Sequence, residues 1–318
     1  MNNKIILKCE KLNKEFDKKN KNKRIHVLKD INLEIYEDEI LGLVGESGCG
    51  KSTLAKTIIQ LIEPDSGKIY YKNKNILDMT AKGKRKLKTD MQYIFQDAKS
   101  ALNGRKKVGW LLEEPLKVHT KLSAAERKEK VKEMLDLVGL SHDYIDRYAY
   151  GLSGGQAQRI AILCALINNP SFIIADEAVS ALDVSIQAQI LNFLQYLKKE
   201  MNLTMVFITH DLSVCHYMSD RIAVMHSGKI VEIGDADDIY NDPKHPYTQE
   251  LFQSILTINS KETDFKTSEI EKRTCNSSGC GYASICPYKS DKCLNENPEE
   301  ITLENGRKVS CFLYEKKN

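Results

Sequence analysis

The residues Gly45-Glu46-Ser47-Gly48-Cys49-Gly50-Lys51-Ser52, followed by Thr53, have the form G-x-x-x-x-G-K-S/T. Glycines at this spacing let backbone N–H groups curl around phosphate oxygens without a Cβ in the way. A helix opening at the last glycine points its positive end at the same anion. Lys51 is expected to reach the β- and γ-phosphates of a nucleotide, and the Ser52 hydroxyl to ligate Mg²⁺. Cys49 sits at a variable position of the loop.

A second group of chemistry-bearing residues ends an apolar run. Phe172-Ile173-Ile174-Ala175 leads into Asp176 and Glu177. Ligands of open parallel sheets collect at the carboxyl ends of strands. There Asp176 can hold Mg²⁺ through water, and Glu177 can orient and polarise an attacking water. A third group lies near the carboxyl terminus, where Cys280, Cys286, Cys293 and Cys311 fall within one short segment and Pro287 follows Cys286. Four thiolates so placed can hold an iron–sulfur cluster or a zinc ion, or remain free thiols. The spacings are wider than the C-x2-C pairs of most zinc sites. Cys275 is an odd fifth.

The elements that must position these groups read as α/β. Short apolar runs at Ile40–Val44, Phe172–Ala175, Met205–Ile208 and Ile222–Met225 suit buried parallel strands. Leu54, Ile58, Leu61 and Ile62 repeat at helical spacing after the first of them. Ser123-Ala124-Ala125-Glu126 reads as a capping box whose helix stops at Gly139. His226-Ser227-Gly228-Lys229 reads as a hairpin turn. Residues from about 87 to 166 hold mostly helical patterns, which predicts a helical subdomain inserted in the core. The expected organisation is an α/β unit over 1–256, a polar linker over 257–274 and a Cys-rich region over 275–318.

The chain has 318 residues, 42% hydrophobic and 29% charged, with a formal charge of +3; the mean hydropathy is −0.41. That balance gives no argument for a nucleic-acid partner. The basic clusters Lys18 to Arg24 and Lys82 to Lys88 read as solvated loops. No apolar run approaches the roughly 18 residues a membrane span needs, and Ile5-Ile6-Leu7 is too short for a signal-peptide core. A cytoplasmic location is expected, with the cysteines reduced or bound to metal.

Leu152-Ser153-Gly154-Gly155-Gln156, continuing as LSGGQAQRIAI, resembles the signature of the ATP-binding subunits of ABC transporters. Other family elements follow in order. Gln96 within YIFQD is similar to the Q-loop, Ser180-Ala181-Leu182-Asp183 to the D-loop, and His210 to the switch histidine. Phe16 matches the aromatic position that stacks on adenine. The resemblance covers residues 4–256 and implies a P-loop ATPase core with a mostly parallel sheet. It implies that ATP and Mg²⁺ are bound between the Gly45–Thr53 loop of one chain and Ser153, Gly154, Gly155 and Gln156 of a second, with Asp183 nearby. Glu177, His210 and Gln96 are the implied catalytic group, and Ser52, Gln96 and Asp176 the implied Mg²⁺ set.

A closer resemblance, carried by LKTDMQYIFQDAKSALN and His245-Pro246-Tyr247-Thr248, is to the oligopeptide/dipeptide/nickel importer subfamily, second ATPase subunit type. It implies a second, different ATPase subunit (a homodimer is the lesser option), two membrane-spanning permease subunits and an extracytoplasmic solute-binding protein. The location is then the cytoplasmic side of the cell membrane. The cargo is expected to be peptides, with nickel or a metal chelate as the alternative and a non-transport ABC ATPase as a remote one. Some members hold a 4Fe–4S cluster on a similar cysteine pattern. The chain departs from the family's usual residues at Ala98, Gly104, Cys164 and Ala178-Val179, none of which is a catalytic group.

Overall fold

The computed structural model describes residues 4–17, 24–180, 183–258 and 279–315. Strands β1 (Ile5–Asp17) and β2 (Arg24–Tyr36) form a long antiparallel hairpin. Ile31, Leu33 and Ile35 are buried while Asn32 between them is exposed, the period of two that a half-buried strand requires. β3 (Ile40–Val44) is buried at every position and leads through the glycine loop into α1 (Lys51–Ile58). β4 (Ser66–Tyr71) and β5 (Lys74–Asn75) complete a four-stranded antiparallel sheet in the order β2-β1-β4-β5. The sequence reading did not separate this sheet from the parallel core.

Next come α2 (Ala81–Asp90), β6 (Met91–Ile94), α3 (Ala98–Ala101), α4 (Val108–His119), α5 (Ala124–Leu137) and α6 (Gly154–Leu166). They are followed by β7 (Phe172–Asp176), α7 (Val184–Met201), β8 (Thr204–Ile208), α8 (Leu212–Met218), β9 (Arg221–His226) and β10 (Lys229–Asp235). α9 (Ala236–Asn241), α10 (Pro246–Ile258), α11 (Asp291–Asn295), β11 (Ile301–Thr302) and β12 (Lys308–Val309) close the described chain. The main sheet is eight-stranded, in the order β11-β12-β10-β9-β3-β8-β7-β6. β6, β7, β8, β3 and β9 pair parallel, and β10, β12 and β11 continue the sheet antiparallel.

Alternation along the parallel strands builds two cores. Ile173, Ala175, Met205 and Phe207 face α4 to α7 on one side. Phe172, Ile174, Val206 and Ile208 face α1 and the antiparallel sheet on the other. Each of the larger of these side chains contributes roughly 1.5–3 kcal/mol on leaving water. A third core, beside β9 and β10, joins α8, α9 and α10 to Tyr282 of the carboxyl-terminal segment.

All four apolar runs form the parallel strands read from sequence. The Ser123 capping box is present, with Glu126 Oε2 accepting the Ser123 N–H at 2.7 Å. At the β9–β10 turn Ser227 and Gly228 both have positive φ, 47° and 84°, as a two-residue hairpin turn requires. Three expectations are corrected. Lys82 to Lys88 lie in helix α2, not in a loop: the Thr80 hydroxyl caps it by accepting the Gly83 N–H at 3.3 Å, and Leu87 anchors it. α1 ends at Ile58, because Gln60 takes φ 60°, and Leu61 is exposed. Residues 91–94 form a strand of the main sheet, so the purely helical segment begins after it. α10 extends to Ile258, and residues 259–278, with Cys275 and most of the expected linker, lie outside the described residues.

Candidate nucleotide site

β3 delivers the chain to Gly45, whose φ of +147° and whose missing Cβ, which would stand 2.1 Å from the Met225 carbonyl oxygen, admit only glycine. Gly50, at φ 112°, turns the chain into α1. The first turn of α1 carries no acidic residue, so its N–H groups are not neutralised from within. The Lys51 ammonium lies folded inside the loop. It donates to the carbonyls of Gly45 at 2.7 Å and Glu46 at 2.8 Å, and stands 3.8 Å from Cys49 Sγ. Burial pushes the Cys49 thiol up, against the pull of Lys51.

The acidic residues sit beside it because β7 pairs with β8 in the register Asp176↔Ile208. Ser52 Oγ donates to Asp176 Oδ1 at 3.1 Å, and Tyr93 Oη donates to Asp176 Oδ2 at 2.5 Å. Burial raises the Tyr93 phenol far above its ordinary value, with the Asp176 bond adding to the shift. The Glu177 backbone is left-handed, at φ 47°, and its N–H donates to the Ile208 carbonyl at 2.9 Å. Gln96 Nε2 donates to Glu177 Oε2 at 2.5 Å, and His210 Nδ1 stands 3.6 Å from Glu177 Oε1. Four side chains, Ser52, Tyr93, Gln96 and His210, from three segments of the sequence thus meet around two carboxylates. A hydroxyl and a carboxylate side by side suit a hard divalent cation with oxygen ligands.

The remaining residues lie elsewhere. Ser153 is an exposed N-cap of α6. Its hydroxyl accepts the Gln156 N–H at 3.3 Å, Gln156 Oε1 accepts the Ser153 N–H at 3.0 Å, and Gln156 Nε2 donates to Tyr144 Oη at 2.8 Å. α6 packs in the core opposite to that of α1, with Gly154 exposed at its start. Phe16, 40% exposed near the end of β1, has Lys14 Nζ 5.4 Å from its ring centroid. Asp183 precedes α7 and is exposed; Ala181 and Leu182 lie outside the described residues. Tyr93 and Tyr247 were missed from sequence. A tyrosine in an apolar strand beside Asp176 carried a weak signal for the first, and nothing local signalled the second.

Cys280, Cys286, Cys293 and Cys311 line one cavity of about 480 Å³. Burial raises Cys311 to about 11, and the other three thiols add to the shift. Cys280 is raised by burial and by Cys293 and Cys286. The thiols therefore feel one another, yet among the described residues no three His, Cys, Asp or Glu side chains converge as a single-ion site.

A strand, a glycine loop folded around Lys51 and a helix, with an acidic strand end alongside, define a P-loop ATPase fold. The ABC transporter family model matches residues 28–180, and the model of the oligopeptide/dipeptide transporter C-terminal region matches residues 231–293. The oligopeptide transport ATP-binding protein OppF of Haemophilus influenzae is 42% identical over 324 residues, covering 98% of each chain. The OppF of Streptococcus mutans is 46% identical over 255 residues, 80% of this chain and 82% of that one. Among solved structures, the ATP-binding cassette MJ0796, a dimer in a post-hydrolysis state bound to ADP and Pi, superposes with a TM-score of 0.66 at 30% identity, over 72% of this chain and 98% of that one. The chain belongs to the ATP-binding proteins of ABC transporters, and its activity is that of an ATPase.

Proposed function

We propose that the chain is the ATP-hydrolysing motor subunit of a peptide importer. The observation that carries this reading is the match with an oligopeptide transport ATP-binding protein over 98% of both chains, together with the C-terminal-region match, which takes in Cys280, Cys286 and Cys293. The same match favours peptides over nickel as cargo. Among the described residues no helix is long and apolar enough to cross a membrane. Passage of the solute therefore falls to two permease subunits, fed by an extracytoplasmic binding protein. The chain sits against them on the cytoplasmic side.

The work is done between two ATPase chains, this one and a second of different sequence. α1 and α6 pack on opposite faces of one sheet, so the exposed Ser153–Gln156 cap is turned to a partner's nucleotide and not to its own. ATP lies against the Gly45–Thr53 loop, with Phe16 on the base. Lys51 leaves the Gly45 and Glu46 carbonyls for the phosphates. Ser52, Gln96 and Asp176 would hold Mg²⁺, which would supply charge neutralisation at the phosphates. Glu177 orients the attacking water while Gln96 and His210 hold its carboxylate. Loss of phosphate weakens the contacts across the pair, which then opens; this is a population shift driven by differential affinity.

The cysteine cavity is read as the seat of a 4Fe–4S cluster held by Cys280, Cys286, Cys293 and Cys311. Zinc draws four sulfurs to within about 2.3 Å of one point, whereas a cluster spreads its ligands over separate irons. The reading is supported by the four thiols lining one cavity. Iron and acid-labile sulfide assays on anaerobically purified protein test it; finding neither refutes it. The import reading is tested by reconstituting the chain in liposomes with the permease and ATPase products of neighbouring genes. ATP-driven uptake of labelled di- and oligopeptides is expected, and uptake of nickel alone would reassign the cargo.

A further inference from the structure

The cysteine-lined segment reaches the nucleotide loop through aromatic rings. Tyr247, 2% exposed near the start of α10, accepts the Glu46 N–H on its hydroxyl at 2.9 Å. The Gly45–Glu46 peptide unit is therefore gripped on both sides, its N–H by Tyr247 and its carbonyl by Lys51 at 2.7 Å. Tyr247 is itself fixed. Its N–H donates to His245 Nδ1 at 3.0 Å, and the His245 N–H donates to Glu232 Oε2 at 2.9 Å. Its ring stands edge-on to His226 at 4.3 Å and to Tyr282 at 5.6 Å between centroids. Tyr282 lies between Cys280 and Cys286, is 4% exposed, and donates its hydroxyl to the Glu250 carboxylate of α10. The hairpin turn after His226 is tied to the same loop, the Gly228 N–H donating to the Cys49 carbonyl at 3.0 Å.

We infer that Tyr247 is a positioning residue of the nucleotide loop and that Tyr282 seats it, so that the cysteine-lined segment sets nucleotide affinity. The inference rests on reading the Gly45–Thr53 loop as the ATP site. Gly45 has a backbone conformation that nothing but glycine tolerates, and its neighbouring peptide plane decides where Lys51 and the following N–H groups point. A hydroxyl whose ring is held between those of His226 and Tyr282 fixes that plane before nucleotide arrives, and preorganisation of this kind raises affinity. Nothing else in the reading of the site calls for a buried phenol at this place.

The test uses the full chain and measures ATP and ADP affinity by calorimetry. Tyr247→Phe keeps the ring and removes the acceptor. Affinity is expected to fall about three- to tenfold, the effect of leaving one N–H without its partner. The melting temperature should stay within about 2 °C, and amide exchange at Glu46 should quicken. Tyr282→Ala should weaken binding in the same direction and Tyr282→Phe should restore it, since the seat is the ring. Wild-type affinity in Tyr247→Phe, beside a Lys51→Ala chain that has lost binding, overturns the inference. Wild-type affinity in Tyr282→Ala removes the cysteine segment from it. Normal binding by Lys51→Ala overturns the reading of the loop and the inference with it.

Discussion

Gln96 donates its side-chain N–H to Glu177 Oε2 at 2.5 Å, across 81 residues of sequence. The other carboxylate oxygen stands 3.6 Å from His210. Glu177 is thus oriented from two sides while its backbone sits in a left-handed conformation that costs on the order of 1–3 kcal/mol. Strain at that position is retained because the conformation aims the carboxylate between the two partners.

Replacing Glu177 by Gln keeps the shape and the contact with Gln96 but removes the negative charge that the proposed mechanism uses to polarise water. Turnover is expected to fall about 100-fold or more, with ATP binding retained. Phosphate release gives the rate, and size-exclusion chromatography with the partner subunit should show ATP-dependent pairs accumulating. A rate close to wild type would remove Glu177 from the chemistry.

Tyr93 holds the Asp176 oxygen that Ser52 does not. Groups that orient a metal-binding carboxylate are worth about ten- to a hundredfold in metal affinity. In Tyr93→Phe the Mg²⁺ concentration needed for half-maximal ATPase activity should rise by about tenfold, with metal-free nucleotide binding unchanged. Titration of each variant with Mg²⁺ reads this directly; an unshifted midpoint counts against the role.

Two histidines make the fold sensitive to acid. Burial lowers His226 to about 4 and His245 to about 3, from the ordinary 6.5. The unfolded chain therefore binds more protons than the folded one below pH 6.5. Stability is fully present above that pH and declines as pH falls toward 4. Thermal melting between pH 7.5 and 4.5 should show the decline, and His226→Phe, which keeps a ring beside Tyr247, should flatten part of it. An identical slope in that variant contradicts the assignment.

Arg307, 2% exposed, lies 2.9 Å from Glu232 Oε1 through its Nε and donates its terminal nitrogen to the carbonyls of Asp238 at 2.9 Å and Asp242 at 2.6 Å. The Nε contact is an ion pair without hydrogen-bond alignment. Gly234 makes room for it, since a Cβ there would meet Arg307 Cγ at 2.9 Å. Arg307→Met leaves the Glu232 carboxylate buried without its cation and should cost about 3–5 kcal/mol. Urea unfolding measures this; a loss under about 1 kcal/mol would mean the pair is solvated.

The nucleotide loop, the acidic strand end and the parallel strands were legible because each is encoded over a few consecutive residues. The glycine spacing, the apolar runs and the Ser123 cap are local signals, and the described structure carries them all. What could not be read was long-range. Tyr247 meets Glu46 across 201 residues, and β12 joins β10 through a two-residue pairing, too short for any periodicity. The β1–β2 hairpin carries a period-two pattern at Ile31, Leu33 and Ile35, but its strands are interrupted by register shifts that blur the alternation elsewhere. Lys82 to Lys88 misled because charge describes exposure, not conformation, and a solvated helix is as charged as a solvated loop.

The pairing of Glu232 with Val309 and Ile233 with Lys308, together with the Ser310 N–H donating to the Val231 carbonyl at 2.9 Å, covers the outer flank of β10. A chain cut after α10 would uncover that flank and leave its carbonyls and amides seeking partners in other molecules. Shortened forms of this protein should thus clump or swap strands even if every nucleotide-contacting residue is intact, so the last 40 or so residues are a safeguard against self-association as well as a seat for cysteines.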